Sequence, residues 1–488
     1  MLFNSYIFIF VFLPITMLVF FSLGKLGFFK AATTWLLIAS LFFYANWNIA
    51  YLPLLLLSIG GNYYTGRNIE KSEQGSRKAK KWLLTGIIFN LGLLAYYKYA
   101  NFFLQSFDKL LGTDWILPEI ILPLGISFYT FTQTAYLVDT YRNATTKKYN
   151  LPIYSLFVTF FPHLIAGPIL HHKDMVPQFQ NVKNFMFSHE NMVRGLTLFI
   201  LGLAKKVLIA DNIALYVKPV FQNAADVTFI EAWVGALCYT LQLYFDFSGY
   251  SDMAIGLGWM LNINLPWNFN SPYKATSISD FWRRWHITLS NFLRDYLYIP
   301  LGGNRKGEFR RYLNLMMTML LGGLWHGAGW TFVIWGGLHG MYLCINHWWR
   351  KLNLPLPKPI AWAITFICVV VSWVLFRAQN LNDGMAILQA MAGLKGVILP
   401  DKVQGIFSWL TYLGVKFKPW NELAFLPPTP NYVLGSIGVL LAAIFLPNTQ
   451  QMMEWFQPTK RWAIGIGILA AASLLSLNRI AEFLYFQF

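Results

Sequence analysis

The sequence predicts an all-α polytopic membrane protein with about ten to twelve transmembrane or re-entrant helices. Three observations carry that prediction. The chain is 56% hydrophobic and only 12% charged, about half the charged content of a soluble domain. Apolar windows of about 17–25 residues, the length that crosses a bilayer as a helix, recur along its whole length. Its 20 Trp and 25 Tyr suit residues that anchor helix ends at the headgroup level.

The first window, 5–23, lacks a basic n-region and a small-residue cleavage site, so it reads as a retained span. Windows near 31–48, 50–66, 82–105, 118–140 and 152–170 follow. The later ones fall near 192–216, 229–260, 312–325 with 331–348, 359–376, 431–447 and 462–485. Arg67 to Lys81 is the most basic short loop and is expected on the cytoplasmic side. Counting back through three spans places the N-terminus outside. Keeping Arg142 to Lys148, Arg305 to Arg311, Arg350 to Lys358 and Lys460-Arg461 inside requires 152–170 to be re-entrant, or one neighbouring segment not to cross.

Two regions are neither span nor short loop. Residues 262–311, rich in Trp, Arg, Asn and Pro, suit interfacial or re-entrant helices, because irregular backbone at membrane depth must face protein or a water-filled cavity. Residues 378–430 form the longest polar stretch and read as an external cap or loop. With no internal repeat and no low-complexity tract, residues 1–488 read as one membrane domain: N-terminal spans over 1–117, a core over 118–348 and C-terminal spans over 349–488.

The formal net charge of +17 fits basic cytoplasmic loops and attraction to anionic headgroups. No compact basic fold accompanies it, so nucleic acid is not an expected partner. Cys238, Cys344 and Cys368 lie in apolar segments without CxxC spacing, which points to buried thiols and not to disulfides or zinc.

Polar residues inside apolar runs are the candidates for chemistry, since they are costly there unless they line a cavity or find partners. Foremost is His326, in the glycine-rich run Gly322-Gly323-Leu324-Trp325-His326-Gly327-Ala328-Gly329-Trp330. Two short segments broken there would place it at the apex of a turn inside the membrane. A neutral imidazole at that point can take a proton from an acceptor hydroxyl; a structural histidine bonded to a carbonyl is the competing reading. The second block is Asp280-Phe281-Trp282-Arg283-Arg284-Trp285-His286-Ile287-Thr288-Leu289-Ser290. Helical geometry groups His286 with Ser290 (i,i+4) and with Arg283 (i,i+3). Arg283, Arg284, Arg294 and Arg305-Lys306 would make a basic mouth for a phosphorylated ligand, unless they are arginines snorkelling at the interface. Trp285 and Trp325 complete the expected substrate-binding set.

The other histidines promise less. His163 is followed by His171 and His172, which point apart on a helix, and no HExxH or His-plus-carboxylate spacing appears, so no metal site is expected. His339, His347 and His189 read as packing or interface residues. Lys205-Lys206, Asp211, Asp246 and Asp252 read best as a structural ion-pair group. Absence of GxSxG, Walker A and GxGxxG motifs argues against serine-hydrolase and nucleotide-hydrolysing machinery.

Five stretches taken in order resemble the membrane-bound O-acyltransferase (MBOAT) superfamily, and within it the bacterial alginate O-acetyltransferase subfamily. They are LPLGISFYTFTQTAYLVDTYR (122–142), FFPHLIAGPILHHKDMVPQF (160–179), YFDFSGYSDMAIGLG (244–258), DFWRRWHITLSNFLRDYLYIPLGGNRKG (280–307) and LLGGLWHGAGWTFVIWGGLHG (320–340). Together they cover most of residues 118–340, and the start, MLFNSYIFIFVFLP, is also similar. The resemblance implies a ring of membrane helices around a thin centre that holds a central tunnel. It makes His326 of the WHG block the catalytic histidine and His286 of the RRWH block the second functional one.

The implied chemistry is acetyl transfer across a bacterial inner membrane. Acetyl-CoA would be the cytoplasmic donor, with no tightly bound cofactor, and Arg/Lys groups would hold its phosphates. His326 would activate the acceptor hydroxyl or pass the acetyl group on. The subfamily implies a periplasmic SGNH-like partner and an extracytoplasmic acceptor such as alginate, cellulose or peptidoglycan. D-alanyl transfer to teichoic acid is the related alternative within the enzyme class. A transporter or flippase would need paired broken spans in the two halves, and no partner to the His326 break appears in the first half. A scaffold without chemistry would lose nothing on replacement of His326.

Overall fold

A computed structural model describes residues 1–113, 120–142, 149–477 and 484. Among the described residues the chain is almost wholly helical, with one two-stranded parallel sheet, Ile398–Pro400 beside Lys416–Lys418. Helices Phe8–Lys25, Arg77–Leu111 and Lys358–Arg377 are long and apolar enough to cross a membrane; Phe29–Ala45 and Pro430–Phe445 are apolar but shorter. The other expected spans form helices that are shorter or carry buried polar side chains. The end of the 462–485 window, the start of the 118–140 window and most of the 142–148 loop lie outside the described residues.

The described chain forms two compact units. One comprises Met1–Leu203, Tyr250–Trp267 and the described residues 455–477. Its helices Leu52–Glu70, Arg77–Leu94 and Ile126–Tyr141 pack on one another, and Leu13–Lys25 packs on Phe29–Ala45. Asn62 and Asn90 exchange side-chain hydrogen bonds of 2.8 and 2.7 Å between two of these helices. The 152–170 window begins as helix Leu151–Thr159, capped by the Asn150 side chain. At about 1.5 Å per residue this helix is near 13 Å long, well short of a bilayer. Residues 160–170 then run as buried irregular backbone, the form expected of a re-entrant segment. His163 Nε2 lies 2.9 Å from Phe157 O. His172 is held between Tyr149 Oη (2.8 Å) and Asp139 Oδ2 (3.2 Å).

The second unit comprises Ala204–Gly249 and Asn268–Glu454, with Leu484. It contains Glu308–His326 and Trp330–Lys351, which pack as an antiparallel hairpin turned at Gly327–Gly329. The break falls where the glycine-rich run predicts, but the flanking helices have 19 and 22 residues, longer than the two short segments expected. Glycines set how closely they pack. A Cβ built on Gly323 would lie 2.2 Å from Phe332 O, and one on Gly336 would lie 2.3 Å from Met319 O. Both open ends are basic, with Arg310, Arg311, Arg350 and Lys351, and Lys351 pairs with Glu308 across them.

Residues 268–307 contain only short elements, among them Ile278–Trp282 and Ile287–Leu293, in line with the non-spanning region expected there. The ion-pair group forms around Lys206, whose Nζ lies 2.7 Å from Asp211 Oδ1 and 2.6 Å from Asp246 Oδ1 with all three residues buried. Lys205 bonds Thr449 Oγ1 at 3.0 Å. Residues 378–430, expected as an external cap or loop, hold helix Leu381–Met391 and the small sheet, and this stretch is tied to the start of helix Phe229–Met260 by Trp233 Nε1–Met391 O and Phe425 N–Glu231 Oε1 bonds.

Candidate active site

His326 is the last residue of its helix because Gly327 turns the chain into extended backbone (φ −156°, ψ 148°). It is buried among rings: Trp325, Trp335 and Phe376 lie 4.9, 5.1 and 5.3 Å from its own, centroid to centroid. From Glu308 to His326 the helix rises about 27 Å, close to the hydrocarbon thickness of a bilayer.

His286 reaches the same place from a different element. It precedes helix Ile287–Leu293 in a left-handed backbone conformation (φ 43°, ψ 54°), and its ring centroid lies 6.4 Å from that of His326. Ring nitrogens sit about 1.2 Å from a centroid, so nitrogens of the two rings come no nearer than about 4 Å, beyond a direct hydrogen bond. His286 is 0% exposed. Its Nδ1 lies 3.2 Å from Asn268 Oδ1, and its Nε2 has no hydrogen-bond partner among the described residues.

A cavity of about 360 Å³ is lined by Arg283, Ser290, Arg294, Asn291, Tyr298 and Met319 among others. Neither histidine lines it; Met319 precedes His326 by seven residues, about 10 Å of helix. Of the expected substrate-binding residues, Arg283, Ser290 and Arg294 line the cavity, whereas Arg284, Trp285 and Trp325 do not. Arg283 is exposed. Arg284 is held by Asp280 Oδ1 at 2.9 Å. Arg294 forms a two-pronged pair with Asp295 at 2.7 and 3.0 Å, and that bond pushes its pKa upward. Trp285 packs inside an aromatic cluster, 5.0 Å from both Phe269 and Trp373, and Trp325 packs on His326.

Residues 32–382, more than half of the chain, match the model of the MBOAT, membrane-bound O-acyltransferase family. The chain belongs to that family. It is therefore a membrane-bound acyltransferase. This MBOAT chain is 48% identical to a peptidoglycan O-acetyltransferase of Helicobacter pylori, over all of its own length and 98% of the relative's. It is 41% identical to a probable alginate O-acetylase AlgI of Pseudomonas putida over the whole of both chains. A teichoic acid D-alanyltransferase of Streptococcus thermophilus is 28% identical across 53% of the MBOAT chain and 69% of its own.

Sequence reasoning missed Asn268, Trp335, Phe376 and Trp373. Trp335 comes from helix Trp330–Lys351 and both Trp373 and Phe376 from Lys358–Arg377, and none of the three carries a local signal. Asn268 sits in the Pro-Trp-Asn-Phe-Asn run, whose polar residues amid aromatics were the available clue. His339, expected as a packing residue, is fully buried behind Trp335 at 4.8 Å and accepts from Trp282 Nε1 at 3.3 Å.

Proposed function

We propose that this acyltransferase moves an acetyl group from cytoplasmic acetyl-CoA across a bacterial inner membrane toward an extracytoplasmic polysaccharide of the alginate or peptidoglycan type, handing it to an SGNH-like periplasmic partner. The observation that carries the chemistry is the pair of buried histidines from the two blocks, 6.4 Å apart by ring centroids. In this reading His326 takes the proton of the acceptor hydroxyl as its oxygen attacks the thioester carbonyl. The C–O bond forms, the C–S bond breaks, and the thiolate leaves as CoA after protonation. His286, through its Nε2 lone pair, accepts from a second donor of the acceptor molecule and so orients it, while the one hydroxyl proton goes to His326.

Direction follows from the hairpin. Its open ends carry Arg310, Arg311, Arg350 and Lys351, which the positive-inside bias assigns to the cytoplasm. His326 then lies about 27 Å of helix away, toward the opposite face. Arg283 and Arg294 at the cavity suit the phosphates of the donor, because arginine forks match phosphate oxygens. Acetyl is favoured over D-alanyl by the full-length relatives, whose names specify O-acetylation; the D-alanyl relative aligns with about half of this chain.

The test is to supply membranes holding the protein with radiolabelled acetyl-CoA, with and without a periplasmic extract. Base-labile label released by a muramidase or by an alginate lyase is expected, and the enzyme that releases it names the polymer. Label that never enters polymer, even with the extract present, would overturn the reading.

A further inference from the structure

The reading above gives His286 a task that depends on which of its ring nitrogens carries the proton, and the chain fixes that choice through Asn268. This inference rests on the proposed role of His286. Asn268 is 0% exposed. Its Oδ1 lies 3.2 Å from the backbone N of Thr288, 3.0 Å from Thr288 Oγ1 and 3.2 Å from His286 Nδ1. A backbone N–H only donates, so the side-chain atom facing it is the oxygen and not the amide nitrogen. That oxygen only accepts, so the third contact requires His286 Nδ1 to carry the hydrogen. The lone pair then sits on Nε2, the buried nitrogen without a partner among the described residues.

Asn268 also holds the backbone. Its carbonyl accepts from Ile287 N at 3.0 Å while its side chain accepts from Thr288 N. Both amides that follow His286 are thus bonded to one residue. A non-glycine residue in the left-handed region is strained and persists only where the surroundings over-determine it. His286 sits there at φ 43°, and the two Asn268 bonds supply the restraint.

We infer that Asn268 is the positioning residue of the site, fixing His286 as the Nδ1–H tautomer and aiming its Nε2 lone pair at the substrate position. A buried acceptor is stabilised by a donor, and a second hydroxyl or amide of the substrate donating to Nε2 would supply one. Asn268 acts through His286 and touches no reacting atom. Its loss therefore lowers turnover without weakening the donor's hold at Arg283 and Arg294.

Full-length Asn268→Ala, Asn268→Asp, His286→Gln and the Asn268→Ala/His286→Gln double variant test this in membranes with radiolabelled acetyl-CoA, each normalised to folded protein. For Asn268→Ala, kcat is expected to fall about 10–100-fold, the usual cost of losing such a supporting partner, with KM for acetyl-CoA unchanged. Asn268→Asp keeps an acceptor oxygen at the same point and is expected to restore most of that loss. The double variant should be no slower than His286→Gln alone, since residues acting as one unit are not additive. Wild-type kcat in Asn268→Ala beside a crippled His286→Gln would overturn the inference and leave the role of His286 standing. So would losses that multiply in the double variant, or an Asn268→Asp as slow as the alanine variant. If instead His286→Gln itself turns over at the wild-type rate, the proposed role of His286 falls, and this inference falls with it.

Discussion

Replacing Gly336 by alanine should cripple turnover while leaving the protein in the membrane. The added methyl would lie 2.3 Å from Met319 O and 3.1 Å from Gly323 Cα. An ordinary carbon–oxygen contact is about 3.3 Å, so the two hairpin helices must separate locally by about 1 Å. Both neighbours are backbone atoms, which cannot rotate away. Overpacking of this kind costs about 1–3 kcal/mol of stability. Gly323 is one turn before His326, so the shift is delivered almost directly to that ring, and a misplacement of 1 Å costs about 100-fold in rate. Gly337→Ala is the matched control: its methyl would meet only Leu320 Cδ2 at 3.5 Å, and it should gain about 0.5–1 kcal/mol from helix propensity. The assay is acetyl transfer per folded molecule, with melting of the detergent-solubilised protein measured alongside. Equal kcat in the two variants would refute the claim that hairpin spacing sets the position of His326.

Other substitutions separate structure from chemistry. Lys206→Met strands Asp211 and Asp246 as buried, uncompensated carboxylates, so it should cost about 3–5 kcal/mol and show as a lower melting temperature and protein level; Lys206→Met combined with Asp211→Asn and Asp246→Asn should recover most of it. Arg283→Gln should raise KM for acetyl-CoA about 10-fold with kcat little changed, the size of one lost charge-assisted hydrogen bond. Arg284→Gln, whose guanidinium is already engaged by Asp280, should move KM less than threefold, a difference that initial-rate kinetics over a donor series resolves.

Much of this architecture is legible in the sequence, because helix formation in lipid is governed by local apolar length and by breakers. The windows at 31–48, 82–105 and 359–376 correspond to Phe29–Ala45, Arg77–Leu111 and Lys358–Arg377, and the Gly327–Gly329 break ends the helix at His326. Helix continuity is less legible. The 192–216 window runs as His189–Ala204, the π-helical Lys205–Ala210 and Asp211–Gln222, with two carboxylates neutralising Lys206 inside it; the π-helical stretch and the helix ends beyond the window have no mark in composition. His286 and His326 are identifiable from their blocks, but nothing local says that their rings come within 6.4 Å. Arg284 and Arg283 are adjacent and indistinguishable in composition; only the fold gives one to Asp280 and the other to the cavity. Asn268 lies 18 residues before His286, and its role is a tertiary fact that no periodicity encodes.

The account turns on His326, and the most direct test is the acetyl-transfer rate of His326→Ala at matched folded protein, with radiolabelled acetyl-CoA and the periplasmic extract supplied. The account predicts that label in the polymer falls at least about 100-fold, the scale of a lost general base, while KM for acetyl-CoA stays within a factor of two. Label accumulating at the wild-type rate in His326→Ala would contradict it.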